Sequence, residues 1–456
     1  MGKASCPPTL GSIGGQPGME TRCPRLWSAI ANSVVIPFII CALLLPIHAA
    51  FTLDGTFGGG SGKLWISFAD PPNTNYTSQA IRVFVQSNNR ILVAGSFTKG
   101  TPDGQLTGVA VVGLTPSGGI DTGFAGGAGA ATDWRPDAFT DLSDFLMSPN
   151  GSTLRMSQIF RLPVGSSTVQ ATRLTADGGI DTVFGTNATI GPCCFGFFSA
   201  RPVQIAARSD GKVLALITDQ GAYQLYRLNS DGTRDTTFGT NGVQGITFNK
   251  FSITNFVEMI PLSDGKVLLV GNIDSNEFFF ARLTETGNWD KTFGRSGFLR
   301  VPFGAGNSGS VRKALLQADG NILVAGTVTS GDTDVWMARF RPNGRRDSTF
   351  GTDGVVVSDR SPAATDFARS MAVSADGKIR IAGEIGSSPN QSFLIARFSA
   401  NGTFEEQITL PFTTGLPSGA NDITVQPDGK VLVVGYSKNE TTGITGNVMA
   451  IMRLTE

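Results

Sequence analysis

Seven polar residues stand six positions before the Asp or Asn of a recurring turn: Arg82, Asp144, Gln204, Glu258, Lys313, Ser370 and Asp422. The residues three and five before each turn are almost entirely apolar. Carboxylates, cations and an amide repeated in one register could hold a sugar, a small anion or a metal ion where the repeats converge. The same set could instead neutralise itself. Around a closed ring Arg82 lies between Asp422 and Asp144, and Glu258 lies next to Lys313. Such pairing, or hydration, satisfies polar groups without any ligand, and it is the plainer of the two readings.

The catalytic inventory is otherwise thin. His48 is the only histidine, and it sits in a segment that reads as a leader. Without it, Ser-His-Asp and Cys-His nucleophiles, histidine-held zinc or copper and histidine-held haem are all ruled out. Four tyrosines (Tyr76, Tyr223, Tyr226, Tyr436) and the carboxylates remain for acid–base work. A glycosidase would need two carboxyl groups about 5–10 Å apart, such as Asp144 and Glu258, which sequence spacing does not fix. Trp65, Trp134, Trp289 and Trp336 do not recur at one repeat position, which argues against a quinone dehydrogenase. Cys193 and Cys194 are adjacent in the segment GPCCFGFF; a strained ring disulfide, a thiol pair, a soft-metal contact and two buried small residues all remain open.

The elements that position these residues are repeats. A hairpin signal recurs as VQSNNRILVAG, LMSPNGSTLRM, ARSDGKVLALI, PLSDGKVLLVG, LQADGNILVAG, VSADGKIRIAG and VQPDGKVLVVG. Asp-Gly or Asn-Gly between apolar, β-branched runs favours a tight turn, because glycine accepts a positive φ. A third strand follows, ending in arginine at Arg173, Arg227, Arg282, Arg339, Arg397 and Arg453, with Gly113 in the first copy. Then comes a DG-x-x-D-x-x-FG tail, clearest in NSDGTRDTTFGTNG, and a fourth short strand. In that tail Asp181, Asp235, Asp290 and Asp347 can accept turn N–H groups, and Phe184, Phe238, Phe293 and Phe350 can anchor the turn in the core. The arginine can pair with the aspartate, as Arg227 with Asp235. A calcium loop needs more oxygen ligands at closer spacing, so the tail calls for no metal.

Seven units of four short strands, with no long amphipathic helix, predict an all-β fold: a seven-bladed β-propeller of four-stranded blades. The last unit stops on its third strand at Arg453-Leu-Thr-Glu456, and residues 51–69 carry the missing tail and strand. An N-terminal strand completing the last blade closes the ring and removes an open sheet edge. Approximate blades are 70–132, 133–194, 195–248, 249–303, 304–359, 360–412 and 413–456.

Residues 1–50 are a separate matter. Arg22 and Arg25 precede the apolar run Val34–Leu45, and small residues follow it. This describes a signal peptide cut near Ala49 or Ala50, with Met19 an alternative start; the run is short for a membrane anchor. The protein is expected to be exported to the periplasm, outer surface or medium. The whole chain carries 36 basic and 36 acidic residues; removing Lys3, Arg22, Arg25 and Glu20 leaves 33 against 35, or −2. That leaves no basic footprint for nucleic acid or anionic membrane. Strand order puts both turns of a blade on one face and the irregular loops on the other. Binding tends to reside on variable loops, and Asp133, Trp134 and Asp137 form their most ligand-like cluster.

The hairpin, the ARL strand and the tail, recurring together over nearly all of residues 51–456, resemble the delta-60 repeat family of bacterial exported and surface proteins. Unit two departs at NGSTLRM, and unit seven lacks its C-terminal tail. The resemblance implies a β-propeller and brings no catalytic residues or cofactor. The expected role is a monomeric, non-catalytic scaffold for a protein or polysaccharide. The alternatives are a lyase or glycoside hydrolase with carboxylates at the channel mouth, and a purely structural surface protein. If the polar ring is a ligand site, Asp144→Ala or Glu258→Ala abolishes ligand binding and leaves the fold intact; unchanged affinity in a titration counts against it.

Overall fold

The computed structural model describes residues 50–67, 76–101, 104–133, 138–161, 166–185, 188–190, 200–248, 253–304, 306–359, 365–387, 389–438 and 446–456. They form seven antiparallel sheets in a ring. Among the described residues helix is limited to two short 3-10 turns, Gly58–Gly60 and Ala125–Gly127. Among the described residues no helix is long and apolar enough to cross a membrane.

Blade 4 shows the pattern. Its strands run Asn255–Pro261, Val267–Asn272, Glu277–Leu283 and Phe298–Pro302, each paired with the next. The second strand, VLLVGN, is buried at every position. An alternating pattern would fail there, because both faces of the blade are covered by neighbouring blades. The outermost strands are partly exposed, and Val357 in blade 5 lies 52% open.

The core is correspondingly divided. Seven apolar clusters fill the seven gaps between blades. One of them joins Leu432, Val434 and Ile451 of blade 7 to Ile91, Val93 and Val112 of blade 1, so the ring is closed. Backbone hydrogen bonds close it as well: Thr52–Leu53 and Lys63–Ile66 both pair with the last strand, Asn447–Thr455.

The hairpin turns are one residue longer than a two-residue loop. In blade 3 the Gly211 N–H donates to Arg208 O at 3.1 Å and Arg208 N–H to Lys212 O at 2.8 Å. This is a type I turn followed by a left-handed residue, and Gly211 takes that position with φ +81°. Asp210 stays on the ordinary side of the map and accepts the Lys212 N–H at 3.1 Å. In blade 1, Asn89 supplies the positive φ (64°) that glycine supplies elsewhere.

In blades 3, 4, 5 and 7 the tail forms a clasp onto the next blade. Asp235 accepts the Thr237 N–H on one oxygen and Arg227 Nε, at 2.7 Å, on the other. The Arg227 guanidinium lies 4.7 Å from the Phe238 ring centroid, and the ring is fully buried. Its Nη1 then donates to Glu285 O in blade 4. Arg282 and Arg339 repeat this onto Pro342 O and Ala400 O, and Arg453, with Asp54 and Phe57 from the chain start, onto Pro116 O. The glycine of the next turn lies against the ring: a Cβ on Gly287, at φ +89°, would approach Phe238 to 3.0 Å.

Two blades depart from this scheme and are repaired from elsewhere. Blade 1 has Gly113, where a Cβ would come within 2.6 Å of Phe124. Arg90, from the hairpin, replaces the missing arginine: it binds Asp121 at 2.5 Å and Ala176 O at 3.1 Å. Blade 6 has Glu405 in place of aspartate and Ile408 where the other tails carry their phenylalanine. Arg397 binds Glu405 at 2.9 Å and lies 5.0 Å from the ring of Phe51, brought in from the start of the folded chain.

These aspartates set the response to acid. Burial alone would raise Asp290, but the Thr292 hydroxyl and N–H and the Arg282 guanidinium outweigh it and hold the carboxyl down to about 2. Asp54 and Asp235 are likewise held well below the ordinary range. A depressed carboxyl contributes stability that is complete above its unfolded value and is lost as pH falls through its folded value. Stability is therefore expected to fall between about pH 4 and pH 2. Asp290→Asn should cost about 3–5 kcal/mol at pH 7, because it strands Arg282, and should reduce the further loss on acidification; denaturant unfolding at pH 7 and pH 3 measures both.

Candidate functional site

The seven polar residues do come together, on the innermost strands. Each stands directly after a β-bulge: the register slips between Ala80 and Arg82, Leu142 and Asp144, Pro202 and Gln204, Phe256 and Glu258, Val311 and Lys313, Ala368 and Ser370, and Ala420 and Asp422. A bulge leaves backbone groups unpaired and re-aims the side chains beside it. Here the freed groups are taken up by the neighbouring blade. Asp422 accepts the Val83 N–H at 2.9 Å, and Asp144 accepts the Ile205 N–H at 3.2 Å. Gln204 Nε2 donates to Val257 O at 2.6 Å, and the Ser370 hydroxyl to Asp422 at 2.6 Å. Arg82 meets Asp144 at 3.4 Å and Lys313 meets Glu258 at 2.8 Å. The ring is thus largely a set of stitches, as its self-neutralising reading required.

Its charges are strongly coupled. Burial pushes the Asp144 carboxyl up against the pull of Arg82, and Glu258 pushes it further. Burial opposes the charge on Arg82, but Asp144, Asp422 and Glu258 outweigh it and hold the guanidinium above its ordinary value. Asp144, Gln204, Ser370 and Asp422 are all more than nine-tenths buried, so little of them faces an incoming ligand.

The bulge position itself carries what the sequence reading missed. Around the ring it reads Ile81, Ser143, Val203, Val257, Arg312, Arg369 and Asn421. Val257 packs into the gap between blades 4 and 5, and Asn421 donates to Ala80 O across the closing gap at 2.8 Å. Arg312 and Arg369, on adjacent blades 5 and 6, break this pattern. Arg369 pairs with Glu384 at 3.1 Å. Arg312 is exposed and makes no ion pair among the described residues. Burial against the protein wall and then the Arg369 charge push Arg312 below its ordinary value, with Glu384 pulling the other way.

Glu384 belongs to a second column, the residue after the glycine of the second strand, which also holds Asn272 and Tyr436. Asn272 shows its general use: its amide bonds both Val311 O and Val311 N–H in the next blade, at 3.0 and 2.9 Å. Burial raises the Tyr436 phenol, and Glu384 raises it further while Arg369 opposes. Arg312, Arg369, Glu384 and Tyr436 therefore form one cluster on the loop side of the channel. Aligning the bulge column would have exposed the two arginines in the sequence.

Other groups stand apart. Asp133 is ion-paired to Arg155 at 2.6 Å. Trp134, Asp137, Cys193 and Cys194 lie outside the described residues. Carboxylate oxygens of Asp332, Asp334 and Asp359 come within 4.8 Å of one another, a geometry that could hold a metal ion. Burial and then the other two acids push Asp334 up. A hollow of about 650 Å³ on the turn face is lined by Asp376, Arg380, Asp428, Lys430 and Glu456. Its charges are paired, Arg380 with Glu456 at 2.5 Å and Lys430 with Asp428 at 3.7 Å.

Residues 86–124, 208–238, 262–293, 317–350, 374–406 and 426–455 match one family, described as a domain of unknown function (DUF5122) beta-propeller. Six stretches of the chain are thus similar to that β-propeller family. The family's matches pass over blade 2, where NGSTLRM ends the hairpin. No curated protein matches the chain in sequence. Among solved structures the chain is similar to a protein of unknown function from Dyadobacter fermentans, at 12% identity and TM-score 0.43, covering 70% of this chain and 94% of that one. It is similar to an ulvan lyase of a new polysaccharide lyase family at 12% identity and TM-score 0.38, covering 70% and 83%. It is also similar to a puromycin hydrolase mutant complexed with PGG, at 13% identity and TM-score 0.45, covering 81% of this chain. The chain spans 53% of that hydrolase's length. These likenesses concern the fold alone.

The stitches make a direct expectation. Asp422→Ala leaves the Val83 N–H and the Ser370 hydroxyl buried without an acceptor and should destabilise the ring by about 2–4 kcal/mol. Chemical denaturation measures the loss; a change under about 0.5 kcal/mol, as at an ordinary surface site, would contradict the stitching role.

Proposed function

We propose that the chain is an exported, non-catalytic β-propeller that binds an acidic polysaccharide at the loop side of its central channel. The observation that carries this reading is Arg312, an exposed residue that makes no direct ion pair among the described residues and stands beside a second arginine. A planar guanidinium recognises carboxylate or sulfate with two parallel hydrogen bonds. Arg312 offers that fork, Arg369 adds charge while held by Glu384, and Tyr436 supplies a ring nearby on which a sugar can stack. Arg312 and Arg369 stand at bulges and Tyr436 on a second strand, so these side chains are fixed on strands rather than on loops.

The carboxylates argue against the hydrolase or lyase reading. Asp144 and Asp422 are engaged with backbone N–H groups, and Glu258 faces Lys313. An acid–base pair would have to leave those partners first. Export, a monomeric state and kinship with the delta-60 repeat proteins fit the leader-like segment and the repeat pattern, and belong to the same proposal.

The test is a binding screen of residues 51–456 against neutral, uronate-bearing and sulfated glycans. Saturable binding confined to the acidic glycans is expected, weakened about tenfold or more by Arg312→Ala, equivalent to about 1.4 kcal/mol for one charge-assisted contact. Binding should weaken further as salt is raised. Equal binding of neutral glycans, or an Arg312→Ala protein with unchanged affinity, overturns the reading.

A further inference from the structure

We propose that the bond between Ala50 and Phe51 is a processing site, and that the ammonium released at Phe51 is the group for which Glu406 is placed. The boundary is sharp in the structure: Ala50 is exposed and Phe51 is only 3% exposed. The Phe51 nitrogen lies 3.0 Å and 3.2 Å from the two oxygens of Glu406. A backbone amide has one hydrogen to share between two carboxylate oxygens, whereas an ammonium has three and a charge. The partner is thus better matched to a chain end than to a chain interior.

The ring of Phe51 fixes the position of that nitrogen. It fills the place of the missing tail phenylalanine in blade 6, against the Arg397 guanidinium, and packs with Ala382, Ile395 and Val433 in the gap between blades 6 and 7. One residue later the chain is already paired as strand, Thr52 opposite Thr455. The first residue that the fold needs is therefore Phe51. Upstream stand the small residues Ala49 and Ala50 and the apolar run Val34–Leu45, the pattern an endopeptidase of the leader-removing class cuts after.

The chemistry is a hydrolysis. Water adds across the Ala50–Phe51 amide, Ala50 departs as a carboxylate, and Phe51 keeps the nitrogen as an amine that takes up a proton. The groups facing it are known. Glu406 also meets Arg397 at 3.2 Å, Arg397 meets Glu405 at 2.9 Å and Glu456 at 3.3 Å, and Arg380 meets Glu456 at 2.5 Å. Lys378 lies 3.8 Å from Glu405. Cations and carboxylates alternate through this cluster, so a further cation at Phe51 extends the alternation.

The experiment is to express the full chain in an exporting bacterial host, purify the protein from outside the cytoplasm and read its N-terminus by mass spectrometry. Phe51 is the expected first residue; a mature protein beginning elsewhere, or retaining the leader, overturns the processing site. The pocket has its own readout on the same material. The Phe51 amine should react with an acylating N-hydroxysuccinimide ester about tenfold more slowly than in Glu406→Gln, since one pKa unit is tenfold in the reactive free base. Equal labelling of the two proteins overturns the role of Glu406. Neither readout involves a glycan, so either can fail while the glycan screen succeeds, and the reverse.

Discussion

Every blade of this protein has two apolar faces, and only another blade can cover them. Strands such as Val267–Asn272 are buried throughout because Leu268 and Val270 turn to one side and Val267 and Leu269 to the other. Such a sheet has no stable existence alone. The polar features serve this demand: the arginine clasps at the turn face, the side chains beside the bulges near the axis, and the Asn272 bridge all run between one blade and the next. Apolar contact gives attraction without direction, and the hydrogen bonds set the angle at which each blade meets its neighbour.

Much of the architecture was legible in the sequence because it depends on local chemistry written seven times. The Asp-Gly pairs mark the hairpins, and the tail motif marks the turn that Phe238 and its counterparts anchor. The displaced end of the last repeat marks the closure, for which residues 52–66 complete blade 7. What was not legible is how a missing motif residue is replaced from another position in the chain. Gly113 reads as a lost arginine, yet the guanidinium arrives from Arg90, twenty-three positions earlier by numbering. The worn tail at Asn401 reads as a lost phenylalanine, yet Phe51 fills the gap across a separation of 355 residues to Glu406. No periodicity encodes such a loan, since it is made once.

The channel shows the same limit in another form. Polar residues six positions before the turn stand out by composition, and they do form the ring. Whether they face a ligand or the adjacent backbone depends on the bulge, which sequence spacing hides because one extra residue looks like any other. Arg312 and Arg369 occupy the bulge column itself, where Val203 and Val257 set an apolar expectation. The departure is visible only once the column is known to exist.

The borrowed start of the chain also has a bearing on when the molecule becomes a ring. Residues 51–66 are synthesised before the rest of the ring, but the groups they serve, Arg397, Glu406 and Arg453, come almost last. The Asp54–Arg453 bond spans 399 residues. Contacts of such high sequence separation form late, after the entropy of the intervening loop has been met by other structure. Until the final strand emerges, the growing protein is an open arc with Phe51 and Phe57 uncovered at one end and a bare sheet edge at the other. Both are surfaces that attract other chains. Ring closure thus waits for the strand Asn447–Thr455, and it covers the exposed start and the open edge together.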